Sequence, residues 1–193
     1  MDITADSLDT ILAALGEQLQ SLGAQVELVV VGGSALLALG LVKRSTTDVD
    51  VVAFAHQGAL QPAKPFPQPL EEARERVKRD FGLKEDWLNP GPTDLLQFGL
   101  PVGFWSRLTT RSYGDALTVH FAGRHDQIHF KLYAMTDQGA GRHEADLRAL
   151  RPSRDELIAA ARWARTQDPS PGFLMVLVSA LRHLGVEDVD LGA

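Results

Sequence analysis

The stretch from Val26 to Phe54 reads VELVVVGGSALLALGLVKRSTTDVDVVAF, and this stretch decides the fold. Its apolar and mostly β-branched residues at 28–31 predict a buried strand. Gly32-Gly33 predicts a tight turn after that strand, because glycine adopts backbone conformations that other residues avoid. We expect Ser34 to cap a short helix over 35–39. The predicted order is therefore strand, glycine turn and helix.

Two carboxylates, Asp48 and Asp50, open the next apolar run. Because side chains alternate along a strand, both carboxylates should project from one face. They repel each other, an arrangement typical of sites where a hard cation such as Mg²⁺ or Mn²⁺ lies between carboxylates and phosphate oxygens. The backbone N–H groups of a glycine turn can bind that phosphate. The stretch therefore predicts a metal–nucleotide site in which Asp48 and Asp50 bind the metal and Gly32, Gly33 and Ser34 bind the nucleotide.

The spacing of these residues resembles a known signature. Gly33-Ser34, thirteen intervening residues and Asp48-Val49-Asp50 resemble the motif of the DNA polymerase β-like nucleotidyltransferase superfamily. The resemblance implies an α/β (α+β) fold: a polymerase β-like core with a mixed sheet, followed by a C-terminal helical part. The sequence has neither the G-K-[ST] of a P-loop nor the G-x-G-x-x-G of a Rossmann fold at its glycine turn.

Arg44 and Thr46 lie in the polar approach to the two aspartates. The arginine could reach a phosphate or pair with Asp48, and the sequence alone leaves both roles open. The threonine belongs to the (K/R)-x-T-x-D-x-D pattern that carries the resemblance. We therefore include both residues among the nucleotide-binding candidates.

Amino-acid composition limits the classes of protein to which the chain can belong. The chain has 193 residues, 45% of them apolar and 23% charged, with a net charge of −6 and no cysteine. These values are typical of a soluble globular protein, and we expect a cytoplasmic one without a membrane segment. The absence of cysteine excludes disulfides and thiolate zinc sites. The acidic charge argues against a general nucleic-acid coat protein.

The pattern along the chain indicates two parts. We expect a nucleotidyltransferase core over 1–122 and a helical subdomain packed on it over 123–193. Within the core, the proline-rich segment 56–69 predicts a long loop, which is either a lid or a plain connection. The runs at 108–111 and 117–121 predict two strands of a hairpin.

A second group of residues extends the resemblance. Lys131 with Ala134, and Asp146 with Leu147, resemble the two downstream motifs of the AbiEii-like nucleotidyltransferases and the related MenT toxins. Small, mostly uncharacterised bacterial nucleotidyltransferases share segments like those at Asp86, Arg111 and Lys131. The chain departs from the AbiEii pattern at His143, where the family usually has a carboxylate. The chain therefore lacks an acid at residue 143 and retains one at Asp146.

The resemblance implies catalytic roles for Lys131 and Asp146. A lysine among apolar neighbours can neutralise a triphosphate, although its position alone also fits a surface lysine. Asp146 would be either a third acidic group or the partner that orients Lys131. His125 and His129 have the i,i+4 spacing of a zinc pair on a helix, but neither the glutamate of H-E-x-x-H nor a third ligand accompanies them.

We therefore expect an Mg²⁺- or Mn²⁺-dependent transfer of a nucleoside monophosphate from an NTP to an acceptor hydroxyl. The resemblance implies a tRNA end or a protein as acceptor, and a cognate toxin or antitoxin as partner. The alternative is a non-catalytic nucleotide- or partner-binding member of a toxin–antitoxin pair. A phosphohydrolase that uses the same carboxylates is a third hypothesis.

Overall fold

The computed structural model of the protein describes residues 1–191. Its chain divides into two compact units. The first comprises Met1–Gln97 and Phe104–Gly123, and the second comprises Phe98–Gly103 and the chain from Arg124 onward. The short segment Phe98–Gly103 thus belongs with residues that follow it by more than twenty positions.

The first unit is a mixed α/β structure. Its elements are helices α1 (Ala5–Ser21), α2 (Gly32–Ala38) and α3 (Gln68–Phe81), strands β1 (Val26–Val31), β2 (Val49–His56), β3 (Ala59–Pro62), β4 (Leu88–Asn89), β5 (Thr109–Tyr113) and β6 (Leu117–Phe121), and 3-10 helices at Gly91–Leu96 and Phe104–Arg107.

The six strands form one mixed sheet in the order β3-β2-β1-β6-β5, and β4 pairs with β2 off this path. β1 is antiparallel to β2 and parallel to β6, while β5 and β6 form the predicted hairpin. The α/β fold class with a mixed sheet is therefore confirmed.

The core lies between one face of this sheet and helices α1 and α3. Leu28 and Val30 of β1, with Val49 and Val51 of β2, are fully buried in it. The helices contribute apolar residues at helical spacing: Leu8, Ile11, Leu12, Leu15 and Leu19 from α1, and Leu70, Ala73 and Val77 from α3. Because side chains alternate along β1, Val29 and Val31 point away from this core.

The predicted loop over 56–69 was wrong in part. Residues Ala59–Pro62 form β3, which pairs antiparallel with β2. The connection is a two-residue turn in which Gln57 and Gly58 both have positive φ, 50° and 80°. Such a turn matches the twist of a hairpin, and proline is tolerated at the end of an edge strand. The prolines therefore mark the end of this hairpin rather than a continuous loop.

The second unit is helical, as the sequence predicted for the C-terminal part. Its helices are α4 (Arg124–Gln138), α5 (Gly141–Ala149), α6 (Arg154–Gln167) and α7 (Pro171–His183). A capping box begins α6: Ser153 Oγ accepts from Glu156 N, and Glu156 Oε2 accepts from Ser153 N. Within the described residues, none of the helices combines the length and the apolar character needed to cross a bilayer.

Candidate active site

The glycine turn brings the end of β1 against the start of β2. Gly32 has φ +71°, which favours glycine, and the space that its missing side chain would need is filled by the carboxylate of Asp50. A residue with a β-carbon at position 32 would therefore be strained and would also collide with Oδ2 of Asp50. The close approach of turn and carboxylate depends on glycine at this position.

Ser34 does not cap the helix, contrary to the prediction. The positive φ of Gly32 lets the chain turn directly from β1 into α2, so the helix begins at Gly32 and Val31 is its N-cap. Ser34 is then the third helical residue. It is completely buried, and its hydroxyl faces the carbonyl oxygen of Val31 at 3.5 Å.

Thr46 links Asp48 to the second glycine. The threonine hydroxyl donates to Asp48 Oδ1 at 2.9 Å. A β-carbon added at Gly33 would lie 2.8 Å from Thr46 Oγ1 and 3.3 Å from a guanidinium nitrogen of Arg44. Backbone hydrogen bonds in both directions with Ile3 fix Thr46 in place. Asp48 is thus linked to the glycine turn by the side chain of Thr46, whereas Asp50 contacts the turn directly.

Asn89 is a member of this site that sequence reasoning did not assign. β4 runs parallel to β2 and places Asn89 opposite Asp50. Asn89 Nδ2 donates to Asp50 Oδ1 at 3.1 Å, while Asn89 Oδ1 accepts from the N–H of Gly91. The signal in the sequence is the D-W-L-N segment over 86–89, in which Trp87 is a fully buried core residue while Asn89 reaches Asp50.

Lys131 and Asp146 form a buried ion pair in the second unit. Lys131 Nζ lies 2.8 Å from Asp146 Oδ2, and their side chains are 7% and 1% exposed. The interpretation of Lys131 as a surface lysine is therefore wrong. Of the two roles considered for Asp146, the ion pair favours the partner that orients Lys131. His143 contacts the side chain of Gln138, with 3.2 Å between His143 Nε2 and Gln138 Oε1.

The His125–His129 pair does not gain the ligands that a zinc site needs. The two rings are 4.6 Å apart, and His129 Nδ1 faces the carbonyl oxygen of His125 at 2.9 Å. Among residues 1–191, no three or more His, Asp or Glu side chains are grouped to hold a metal by themselves.

The donor set of the first unit fits Mg²⁺ nevertheless. This ion is commonly bound by one or two carboxylates, and it completes its shell with water and substrate phosphates. Asp48 and Asp50 supply the carboxylates. Asp50 packs on Gly32, so its carboxylate lies beside the backbone of the glycine turn. The residues present therefore match a cation that is shared with a bound phosphate.

Comparison with known proteins identifies one matching family. A family model described as "Nucleotidyltransferase of unknown function (DUF6036)" matches residues 7–141. No curated protein and no solved structure matches the chain significantly. The matched region includes the glycine turn, both aspartates, Asn89 and Lys131, and it ends before Asp146.

Proposed function

The chain belongs to this family of nucleotidyltransferases of unknown function, and on that premise we propose that it transfers a nucleoside monophosphate from an NTP to an acceptor hydroxyl with Mg²⁺ or Mn²⁺. One observation carries the proposal: Asp50 packs directly on Gly32, while Asp48 accepts a hydrogen bond from Thr46, which itself packs on Gly33. Two carboxylates beside a glycine turn are the parts that a cation-bound triphosphate requires.

Each residue of the candidate site in the first unit has a role in this proposal. Asp48 and Asp50 hold the cation, Thr46 and Asn89 orient the two carboxylates, and the N–H groups of Gly33 and Ser34 bind phosphate oxygens. Arg44 adds positive charge beside Gly33. When bound, Mg²⁺ neutralises phosphate charge and polarises the α-phosphate. Catalysis then depends on positioning and electrostatics, as in other phosphoryl transfers.

The roles of Lys131 and Asp146 remain predictions from the resemblance to AbiEii-like proteins. A lysine fixed by a carboxylate is a preorganised positive charge, which suits a triphosphate. From the same resemblance we propose a tRNA end or a protein as acceptor, and a cytoplasmic toxin–antitoxin setting. The net charge of −6 favours a protein acceptor over RNA.

The test is label transfer from each of the four α-³²P-labelled NTPs, with Mg²⁺ or Mn²⁺, to the small RNA and soluble protein of a cell extract. We expect transfer by the wild type and a loss of at least about 100-fold in Asp48→Asn and Asp50→Asn. The chain offers a matched control, because Asp188-Val189-Asp190 repeats the motif outside any strand. The variant Asp188→Asn/Asp190→Asn should transfer label like the wild type. Equal transfer by the Asp48 and Asp50 variants would refute the proposal.

A non-catalytic nucleotide-binding protein is the second candidate. The observation that favours it is the absence, within residues 1–191, of a third carboxylate grouped with Asp48 and Asp50 to bind metal. Calorimetry decides between the two. Metal-dependent binding of NTP without release of pyrophosphate would support the binding protein, whereas pyrophosphate release supports the transferase.

A further inference from the structure

Three side chains from three strands form a hydrogen-bonded row on the sheet of the first unit. Thr110 Oγ1 of β5 lies 2.8 Å from His120 Nδ1 of β6, and His120 Nε2 lies 3.2 Å from Glu27 Oε2 of β1. A carboxylate only accepts hydrogen bonds, so Nε2 carries the proton that faces Glu27. In the neutral imidazole Nδ1 then accepts from the hydroxyl of Thr110. The row therefore has the order hydroxyl, base and orienting carboxylate that activates hydroxyl nucleophiles.

The hydroxyl is the accessible end of this row. His120 is 7% exposed, and the ring of Trp105 lies beside it with 5.2 Å between centroids. Thr110, in contrast, is exposed on β5, which forms one edge of the sheet. A reagent in solution can therefore approach the oxygen of Thr110 while the imidazole stays covered.

Strand register places this row on the face of the sheet that carries Asp50. Asp50 pairs with Val31, and His120 pairs with Val29, two residues earlier on the same strand. Paired residues share a face, as do residues two apart. Strands β2 and β5 are nevertheless separated by three interstrand distances, about 14 Å in all. Thr110 is therefore too distant to take a nucleotidyl group from a nucleotide held at Asp50 of the same chain.

We propose that Thr110 is a nucleotidyl acceptor on this chain, modified by a second copy of the protein. This inference rests on the proposed function, which supplies the reagent. The Thr110 oxygen attacks the α-phosphorus of an NTP bound to the other copy, and the new O–P bond forms as the bond to the departing pyrophosphate breaks. The hydroxyl proton passes to His120 Nδ1, and Glu27 stabilises the resulting imidazolium.

The experiment uses purified full-length protein with each α-³²P-labelled NTP and Mg²⁺ or Mn²⁺, followed by peptide mass spectrometry. We expect the label on Thr110, lost in Thr110→Val and retained in Thr110→Ser. His120→Gln should slow labelling by about 100-fold or more, the size of a general-base effect. The matched control is Thr109→Val, because Thr109 is also exposed on β5 but pairs with Phe121 and projects from the opposite face.

Mixing two variants tests the transfer between copies. Asp48→Asn/Asp50→Asn supplies an intact Thr110 without the cation site, and Thr110→Val supplies the active site without the acceptor. Label on the Asp48→Asn/Asp50→Asn chain supports the inference, whereas label on another residue, or equal labelling of His120→Gln, overturns it. If extract acceptors are labelled but Thr110 is not, only this inference fails. If nothing is labelled, the proposed function fails and the inference with it.

Discussion

The carboxylate of Asp50 occupies the space that a side chain at residue 32 would need. The glycine turn and the second aspartate are therefore fitted to each other, and neither can change without disturbing the other.

Gly32→Ala should cost both stability and nucleotidyl transfer. The matched control is Gly40→Ala, since Gly40 has nearly the same φ, +67°, but open space around it. Gly40→Ala should cost about 1–2 kcal/mol through the left-handed backbone alone. Gly32→Ala should cost more, because it also displaces Asp50, and it should abolish label transfer. Urea unfolding and the transfer assay measure the two effects; identical losses in both variants would contradict the contact.

Asn89→Asp should make the stability of the protein depend on divalent metal. Aspartate retains an acceptor for the Gly91 N–H, but it places a carboxylate where the amide now donates to Asp50. The two acids repel each other, and a bound cation removes that repulsion. We expect a lower melting temperature than that of the wild type without metal, and a larger rise on addition of Mg²⁺. A metal response equal to that of the wild type would separate Asn89 from the cation site.

Lys131→Met should be strongly destabilising. It leaves Asp146 buried without its cation, and breaking a buried ion pair in this way costs about 3–5 kcal/mol. The double variant Lys131→Met/Asp146→Leu should recover most of that loss, because both charges are gone. Urea unfolding of the single and double variants gives the coupling energy. Arg148→Gln, in a half-exposed pair with Glu144, should shift the midpoint much less.

Glu156 should contribute to the loss of folding stability at acid pH. Its hydrogen bonds with Arg124 lower the pKa of the Glu156 carboxyl from 4.5 to about 2. A pKa lowered by folding stabilises the protein above pH 4.5, and this stabilisation is lost as the pH falls toward 2.

Glu156→Gln tests this contribution, because glutamine still accepts from Ser153 N but carries no charge. We expect lower stability at pH 7 and a flatter dependence between pH 4.5 and 2, measured by urea unfolding at each pH. Asp155→Asn, at the exposed neighbouring residue, should keep the slope of the wild type. An unchanged slope in Glu156→Gln would refute the assignment.

Local pattern predicted much of this molecule. The hairpin at 108–121 and the helices of the C-terminal part each depend on residues close in sequence, and both were predicted. Strand β3 is not evident from the sequence, because the four prolines of 56–69 are typical of a loop. The turn at Gln57-Gly58 also lacks the asparagine or aspartate that usually marks such turns. The wrong role for Ser34 has a similar origin, since only the backbone shows that the helix begins at Gly32.

The parts of the site that sequence did not assign depend on long-range pairing. Asn89 reaches Asp50 because a two-residue strand pairs with β2 across 39 positions. The row of Glu27, Thr110 and His120 joins three strands, and no local sequence motif predicts it. Spacing rules describe one strand or helix at a time, so contacts of this kind require the sheet order.

The parallel pairing of β1 with β6 has a consequence for synthesis. Residues 26–30 pair with residues 117–121, so the ribosome must complete most of the first unit before β1 acquires its second neighbour. Until then the apolar run at 28–31 presents an open edge, a template on which another nascent chain can align. A message that stops short of Leu117 would therefore release an aggregating fragment rather than an inert one.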